Sequence, residues 1–186
     1  MNRVRLRQIP PAAMLTHFTR AAKTSTALDN LIAILREGVI RGSSRMIRHR
    51  HCAVCLFDAP VAELKQLLHR RNRRRYEPFG IALDKRYAFK MGARPVIYMP
   101  LDEARNLLPA EELCRVVTMD MNRTPTVDWS FEREWRIGSD LPIEPGRSVA
   151  LVETWRDVEE VFDCFDGKPP CRGVIPLNDL FGASSR

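Results

Sequence analysis

The sequence predicts a single α/β domain of the α+β kind, with short strands and helices mixed along the chain. Some stretches repeat apolar residues at helical spacing, and others are short apolar runs of strand length. The runs are irregularly spaced and bounded by proline, as at Pro60, Pro95 and Pro100, which argues against a doubly wound parallel sheet. No internal repeat, low-complexity segment or clear linker divides the 186 residues, a length that suits one domain with a substantial core. Residues 1–12 read as a flexible arm, 13–182 as the domain and 183–186 as a frayed tail.

The elements follow in order. Met14–Thr19 reads as a strand, with Leu15, His17 and Thr19 on one face and Met14, Thr16 and Phe18 on the other. Ser25 or Thr26 caps a helix whose Leu28, Leu31, Ile32 and Leu35 share one face, and Gly38 stops it. Residues 41–51 form a basic loop. Cys52–Phe57 is a buried strand, and Pro60 opens a helix carrying Val61, Leu64, Leu67 and Leu68. Phe79–Leu83 is a strand, Asp84–Lys90 a short helix or turn, and Pro95–Met99 a strand closed by Pro100. Leu101–Leu108 and Pro109–Met119 read as helical, with acidic residues near their starts. A polar loop over 120–128 leads into a strand over 129–137. Asp140–Arg147 is a turn region, Val149–Val152 a strand, Trp155–Phe162 a helix and Cys171–Ile175 a last strand.

Charge is divided unevenly. Net charge is +7, yet residues 1–93 hold 19 Lys/Arg against 6 Asp/Glu, while residues 94–186 hold 11 against 17. Two basic clusters stand in the first half. Arg41, Arg45, Arg48, His49, Arg50 and His51 make one, and Arg70, Arg71, Arg73, Arg74 and Arg75 make the other. Such a run suits a polyanion such as nucleic acid, a solubilising loop, or a face that docks on an acidic partner. No apolar run approaches a membrane span, and the start of the chain lacks the apolar region of a signal peptide. The five cysteines suggest reduced thiols in a cytoplasm rather than a disulfide framework.

The densest stretch is Trp129-Ser130-Phe131-Glu132-Arg133-Glu134-Trp135-Arg136-Ile137. As a strand it puts Ser130, Glu132, Glu134 and Arg136 on one face and Phe131, Arg133, Trp135 and Ile137 on the other. Two carboxylates on one face repel unless a cation, a sugar hydroxyl or a positively charged transition state uses them. Otherwise they pair with arginines across strands. Metal binding has little support. Cys52 and Cys55 lie three apart in an apolar strand and point to opposite faces, and Cys164 and Cys171 are too far apart for the usual spacing. No nucleophile elbow and no Gly-rich phosphate loop is present. Asp128, Glu132 and Glu134 leave a metal-dependent nuclease as an alternative.

His17-x-Thr19 on an early strand and Glu132-x-Glu134 on a late one resemble the ADP-ribosyltransferase arrangement. The resemblance implies a split fold of two small, mainly antiparallel sheets forming a cleft, with helices outside. It implies NAD as co-substrate, held by His17 and Thr19. Glu134 would be the catalytic carboxylate and Glu132 its auxiliary. Cleaving the bond to nicotinamide develops positive charge at the ribose carbon, which a buried carboxylate stabilises most in the transition state. Tyr76 or Tyr98 could stack on nicotinamide, and Arg48 or Arg50 could hold the pyrophosphate.

A second resemblance spans most of the chain and is to the AbiGi family of abortive phage-resistance proteins. It is carried by Leu15–Thr19, Leu28–Leu35 with Gly38, Val54–Pro60, His69, Tyr76–Ile81 with Lys85, Gly92–Tyr98 and Glu132–Arg136. Glu77 stands where that family usually has Gly, and the run Arg70–Arg75 lengthens a gap that is usually short. This resemblance implies phage defence or toxin–antitoxin biology, with a cognate toxin or antitoxin as partner. A more distant resemblance to DarT-like DNA ADP-ribosyltransferases, together with the basic first half, implies a nucleic-acid acceptor rather than a protein one. An inactive nucleic-acid- or partner-binding module of the same fold remains the rival expectation.

Overall fold

The computed structural model describes residues 14–44, 52–59, 63, 64, 68 and 76–182. The arm over 1–12, the tail over 183–186, most of the helix expected after Pro60, and Arg48, Arg50, Arg70, Arg71, Arg73, Arg74 and Arg75 lie outside the described residues. The molecule is a mixed α+β fold with helices flanking its sheets.

β1 (Met14–Phe18) is the central strand of the main sheet. The chain then forms helix α1 (Ala27–Glu37), β2 (Val39–Ile40), β3 (Val54–Phe57), β4 (Gly80–Asp84), α2 (Lys85–Lys90), β5 (Arg94–Pro95) and β6 (Ile97–Met99). After helix α3 (Leu101–Leu107) and a 3-10 turn over Ala110–Arg115 come β7 (Val116–Thr118), β8 (Glu134–Ile137) and β9 (Leu141–Pro142). β10 (Ser148–Val152), α4 (Trp155–Asp163), β11 (Val174–Pro176) and α5 (Leu177–Gly182) finish it. The main sheet has seven strands in the order β11-β10-β4-β1-β3-β8-β5, antiparallel except for the β10–β11 pair. Two two-stranded sheets, β2–β9 and the parallel β6–β7, complete it. The main sheet is larger than the small sheets expected. One sheet runs through the whole domain, because β1 pairs fully with β4 and still meets β3 at Thr16 and Phe57.

That meeting is narrow. β1 and β4 share a register from Met14–Asp84 to Phe18–Gly80, whereas β1 and β3 share the single pair Thr16–Phe57. The sheet is covered on both faces. One core contains Leu15, Val54, Leu56, Ile81 and Leu83 with Leu28, Leu31, Ile32 and Leu35 of α1 and Val158 and Val161 of α4. The other contains Met14, Phe57, Leu64, Leu68, Tyr76, Ala82, Val149, Leu151 and Ile175. α1 forms where its apolar spacing predicts. Thr26 accepts from the Asp29 N–H while the Asp29 carboxylate accepts from the Thr26 N–H, and Gly38 ends the helix at φ 67°.

Several sequence expectations are redrawn. The strand expected over Pro95–Met99 is two strands in different sheets, because the N–H of Val96 donates to the Glu134 carbonyl at 3.0 Å and the chain then leaves β8. Val116–Thr118, expected as helix, is strand β7, as its β-branched residues favour. The expected last strand over Cys171–Ile175 starts only at Val174, and α5 follows it. Among the described residues no helix is long and apolar enough to cross a membrane.

Candidate active site

The stretch 129–137 is not one strand. Ser130–Glu132 forms a 3-10 turn, started by the Asp128 carboxylate accepting from the Ser130 N–H at 2.8 Å. Arg133 then takes the left-handed conformation at φ 44°, and β8 begins at Glu134. Left-handed backbone is unusual for arginine and needs support from its surroundings. The Arg133 carbonyl accepts from the Asp58 N–H at 3.1 Å, and its guanidinium donates to Glu63. Burial still alternates through this kink. Phe131 and Arg133 are exposed, whereas Glu132 and Glu134 are only 3% and 6% exposed.

Each buried carboxylate has a protein partner. The Tyr76 hydroxyl donates to Glu132 Oε1 at 2.6 Å, and the Tyr76 ring packs edge-on to Phe57 with centroids 5.0 Å apart. Glu134 is held by Arg136, whose Nε donates to Oε1 at 2.9 Å and whose Nη2 donates to Oε2 at 3.0 Å. Arg136 Nη1 donates to the carbonyls of Cys114 at 2.9 Å and Val116 at 3.3 Å. The Tyr98 hydroxyl oxygen accepts from the Glu134 N–H at 3.2 Å.

The electrostatics agree with this geometry. Burial first, and then the charge of Glu134, push the Cys55 thiol up to about 12. Burial also raises the Tyr98 phenol. Burial alone would lower Arg136, but the bonds and charge of Glu134 outweigh it and hold the guanidinium above its ordinary range. Cross-strand register puts Cys55 opposite Arg136 and Phe57 opposite Glu134, so these four share one face of the sheet. Thr16 joins that face opposite Phe57. Its buried hydroxyl has no hydrogen-bond partner among the described residues.

The sequence candidates thus separate into two groups. The structure gathers Glu132, Glu134, Tyr76 and Tyr98 at the head of β8. It places His17 and Thr19 elsewhere. Strand alternation puts His17 with Leu15, on the face opposite Thr16, Phe57 and Glu134. The His17 ring reaches β3, its Nδ1 donating to the Cys55 carbonyl at 2.9 Å. Burial lowers its pKa, against a smaller rise from that bond. Thr19 is buried, and its hydroxyl donates to the carbonyls of Ala27 at 2.7 Å and Phe79 at 3.2 Å. It joins β1 to the start of α1 and to the approach to β4. Tyr76 meets the carboxylates through its hydroxyl while its ring is packed in an aromatic cluster with Phe18 and Phe57.

Sequence reasoning placed Arg136 on the face of Glu132 and Glu134 but gave it no role, and it missed Cys55 at this site. The signal for Arg136 was its spacing of two from Glu134, which makes them same-face neighbours on a strand. Of the three carboxylates that suggested a nuclease, Glu132 accepts from Tyr76, Glu134 from Arg136 and Asp128 from the Ser130 N–H. No group of three metal-ligating side chains forms among the described residues. The cysteines are free, with Cys52 and Cys164 exposed.

No family model matches the chain, and no curated protein matches it. Among solved structures, Thermus sp. 2.9 DarT in complex with carba-NAD+ is similar, with a TM-score of 0.48 and 15% sequence identity over 93% of this chain and 100% of that one. The same protein in complex with ADP-ribosylated ssDNA gives a TM-score of 0.48 and 15% identity over 92% of this chain and 97% of that one. In complex with NAD+ it gives 0.47 and 15% over 92% and 98%.

Proposed function

We propose that the chain is an ADP-ribosyltransferase-like domain that takes NAD as co-substrate and transfers ADP-ribose to a nucleic-acid acceptor. The observation that carries this reading is the burial of Glu132 and Glu134, two residues apart, at the head of β8. Buried carboxylates oppose folding unless they are fully partnered, and they concentrate where a protein does chemistry. Glu134 would face the positive charge that develops at the ribose carbon as nicotinamide leaves. Glu132, held by Tyr76, would orient the acceptor. The Tyr98 oxygen already accepts from the Glu134 N–H, which leaves its O–H proton to donate to a ligand oxygen beside that carboxylate. The Thr16 hydroxyl is a further polar group on the same face. His17 would offer its Nε2 to a ribose hydroxyl, although strand alternation puts it on the sheet face opposite Glu134. The excess of basic residues in 1–93 supports a nucleic-acid acceptor, with Arg70–Arg75 as its contact and Arg48 or Arg50 on the pyrophosphate. Phage defence, with a toxin or antitoxin partner, is the biological setting that fits such an activity.

A second reading is favoured by one observation. Arg136 engages both oxygens of Glu134, as expected of an inactive module that kept the fold and binds nucleic acid or a partner protein. Labelled NAD incubated with separate pools of DNA, RNA and protein separates the two. The transferase reading expects label on one pool with the wild-type chain and none with Glu134→Gln, assayed at a temperature where circular dichroism shows that variant to be folded. Absence of both label transfer and any NAD-induced rise in melting temperature would overturn it.

A further inference from the structure

We propose that Arg136 is the positioning residue of this site: it aims the Glu134 carboxylate and supplies its countercharge inside the fold. What the carboxylate does rests on the transferase reading, whereas the bracket that holds it stands on geometry alone. Nε and Nη2 take one oxygen each, so the carboxylate is fixed in plane and in rotation. Nη1 anchors the guanidinium to the carbonyls of Cys114 and Val116, at the junction of the 3-10 turn and β7. The carboxylate is thereby located against backbone rather than against a flexible side chain. A spacing of two along β8 puts both side chains on one face, and their side chains are 8% and 7% exposed, so water supplies little of the compensation.

The other titratable groups around Glu134 do not replace this cation. Cys55 of β3 is a thiol, Tyr98 of β6 a phenol and Glu132 of the preceding turn a carboxyl. Among the described residues, Arg136 is the cation paired with Glu134. Lysine offers a single compact donor group and cannot reproduce the fork that reaches two oxygens and two carbonyls.

The test uses Arg136→Met, Arg136→Lys and the double variant Arg136→Met/Glu134→Gln, melted from pH 5 to pH 8 and assayed for NAD turnover. In Arg136→Met a buried carboxylate loses its countercharge, so its charged form is disfavoured inside the fold. Relative to the wild type, the variant is then less destabilised at pH 5 than at pH 8. The double variant, with no carboxylate at 134, loses that slope. Arg136→Lys restores the countercharge and flattens the slope, yet lowers kcat about 100-fold with the KM for NAD unchanged, because aim is lost. Arginine acting only as packing would lower the melting temperature equally at every pH, and that result overturns the proposal. So does Arg136→Lys with wild-type kcat. If Arg136→Met does not fold at pH 8, the double variant and Arg136→Lys still give the comparison. A wild-type chain that turns over no NAD removes the transferase reading, and the melting series then decides the role of Arg136 by itself.

Discussion

Cys52 and Cys55 are three residues apart and chemically opposite. Cys52 is exposed, whereas Cys55 lies beneath the Glu134–Arg136 pair with its thiol pushed up to about 12. At pH 8 only on the order of one Cys55 in ten thousand is thiolate, and the thiolate is the nucleophile. Iodoacetamide labelling of the native protein, read by mass spectrometry, should modify Cys52 and Cys164 first and Cys55 only as the protein unfolds. Equal rates for Cys52 and Cys55 would show that the thiol is not held beneath that pair. His17 makes the second prediction at this scale. Burial holds it below its ordinary value of 6.5, so the folded state favours the neutral ring. That contribution is complete above 6.5 and is lost as pH falls through the folded value, because the unfolded chain takes up the proton first. The wild-type melting temperature should therefore fall on acidification below about 6.5, and His17→Gln should shrink that fall. An unchanged slope would mean that His17 is solvated in the native state.

Strand β4 and helix α1 hold the site from a distance. A Cβ at Gly80 would sit 2.3 Å from the His17 carbonyl oxygen and 3.2 Å from Phe18 Cα, both in the backbone of β1. A flexible side chain could yield to it, but a paired strand cannot. Gly80→Ala should destabilise by about 3 kcal/mol or more, measured by urea unfolding, because β1 and β4 must part. A loss under about 0.5 kcal/mol would mean that the register at Phe18–Gly80 is looser than the pairing indicates. α1 offers a milder counterpart. Thr26 and Asp29 close a reciprocal cap, so Thr26→Ala should cost about 1 kcal/mol in the same measurement. Leu31, fully buried in the core that also holds Leu15, should cost about 2–5 kcal/mol on truncation to alanine.

For the molecule as a whole, charge and site belong to different halves of the chain. The basic half supplies β1, β3 and β4, and the acidic half supplies the turn that carries Glu132 and β8, which carries Glu134. The sheet order β4-β1-β3-β8 brings the halves together. A polyanion drawn to the first half would meet the carboxylate site only where the two join. Replacing Arg70, Arg71, Arg73, Arg74 and Arg75 by alanine should weaken nucleic-acid binding and flatten its salt dependence. Every arginine that neutralises a phosphate contributes about 0.7 to 0.9 to the log–log slope, and its removal takes that share away. A slope that does not change would assign those arginines to solvent or to a protein partner.

The sequence by itself determined the elements whose cause is local. α1 was legible from its apolar spacing, its Thr26 cap and its Gly38 stop, all within twelve or so residues of one another. β1, β4 and β10 were legible as short apolar runs, and Glu132 and Glu134 as carboxylates that needed a use. Tertiary structure decided the rest, because its causes lie far apart in the chain. Val96 changes sheet because the Glu134 carbonyl takes its N–H. Arg133 turns left-handed between contacts to Asp58 and Glu63, which splits the expected strand before β8. Thr19 is spent on the carbonyls of Ala27 and Phe79, and His17 on that of Cys55, which no spacing along the chain announces. A residue type states what bonds a side chain can make. Which partner takes them depends on which strands become neighbours, and that is settled when distant segments share one core.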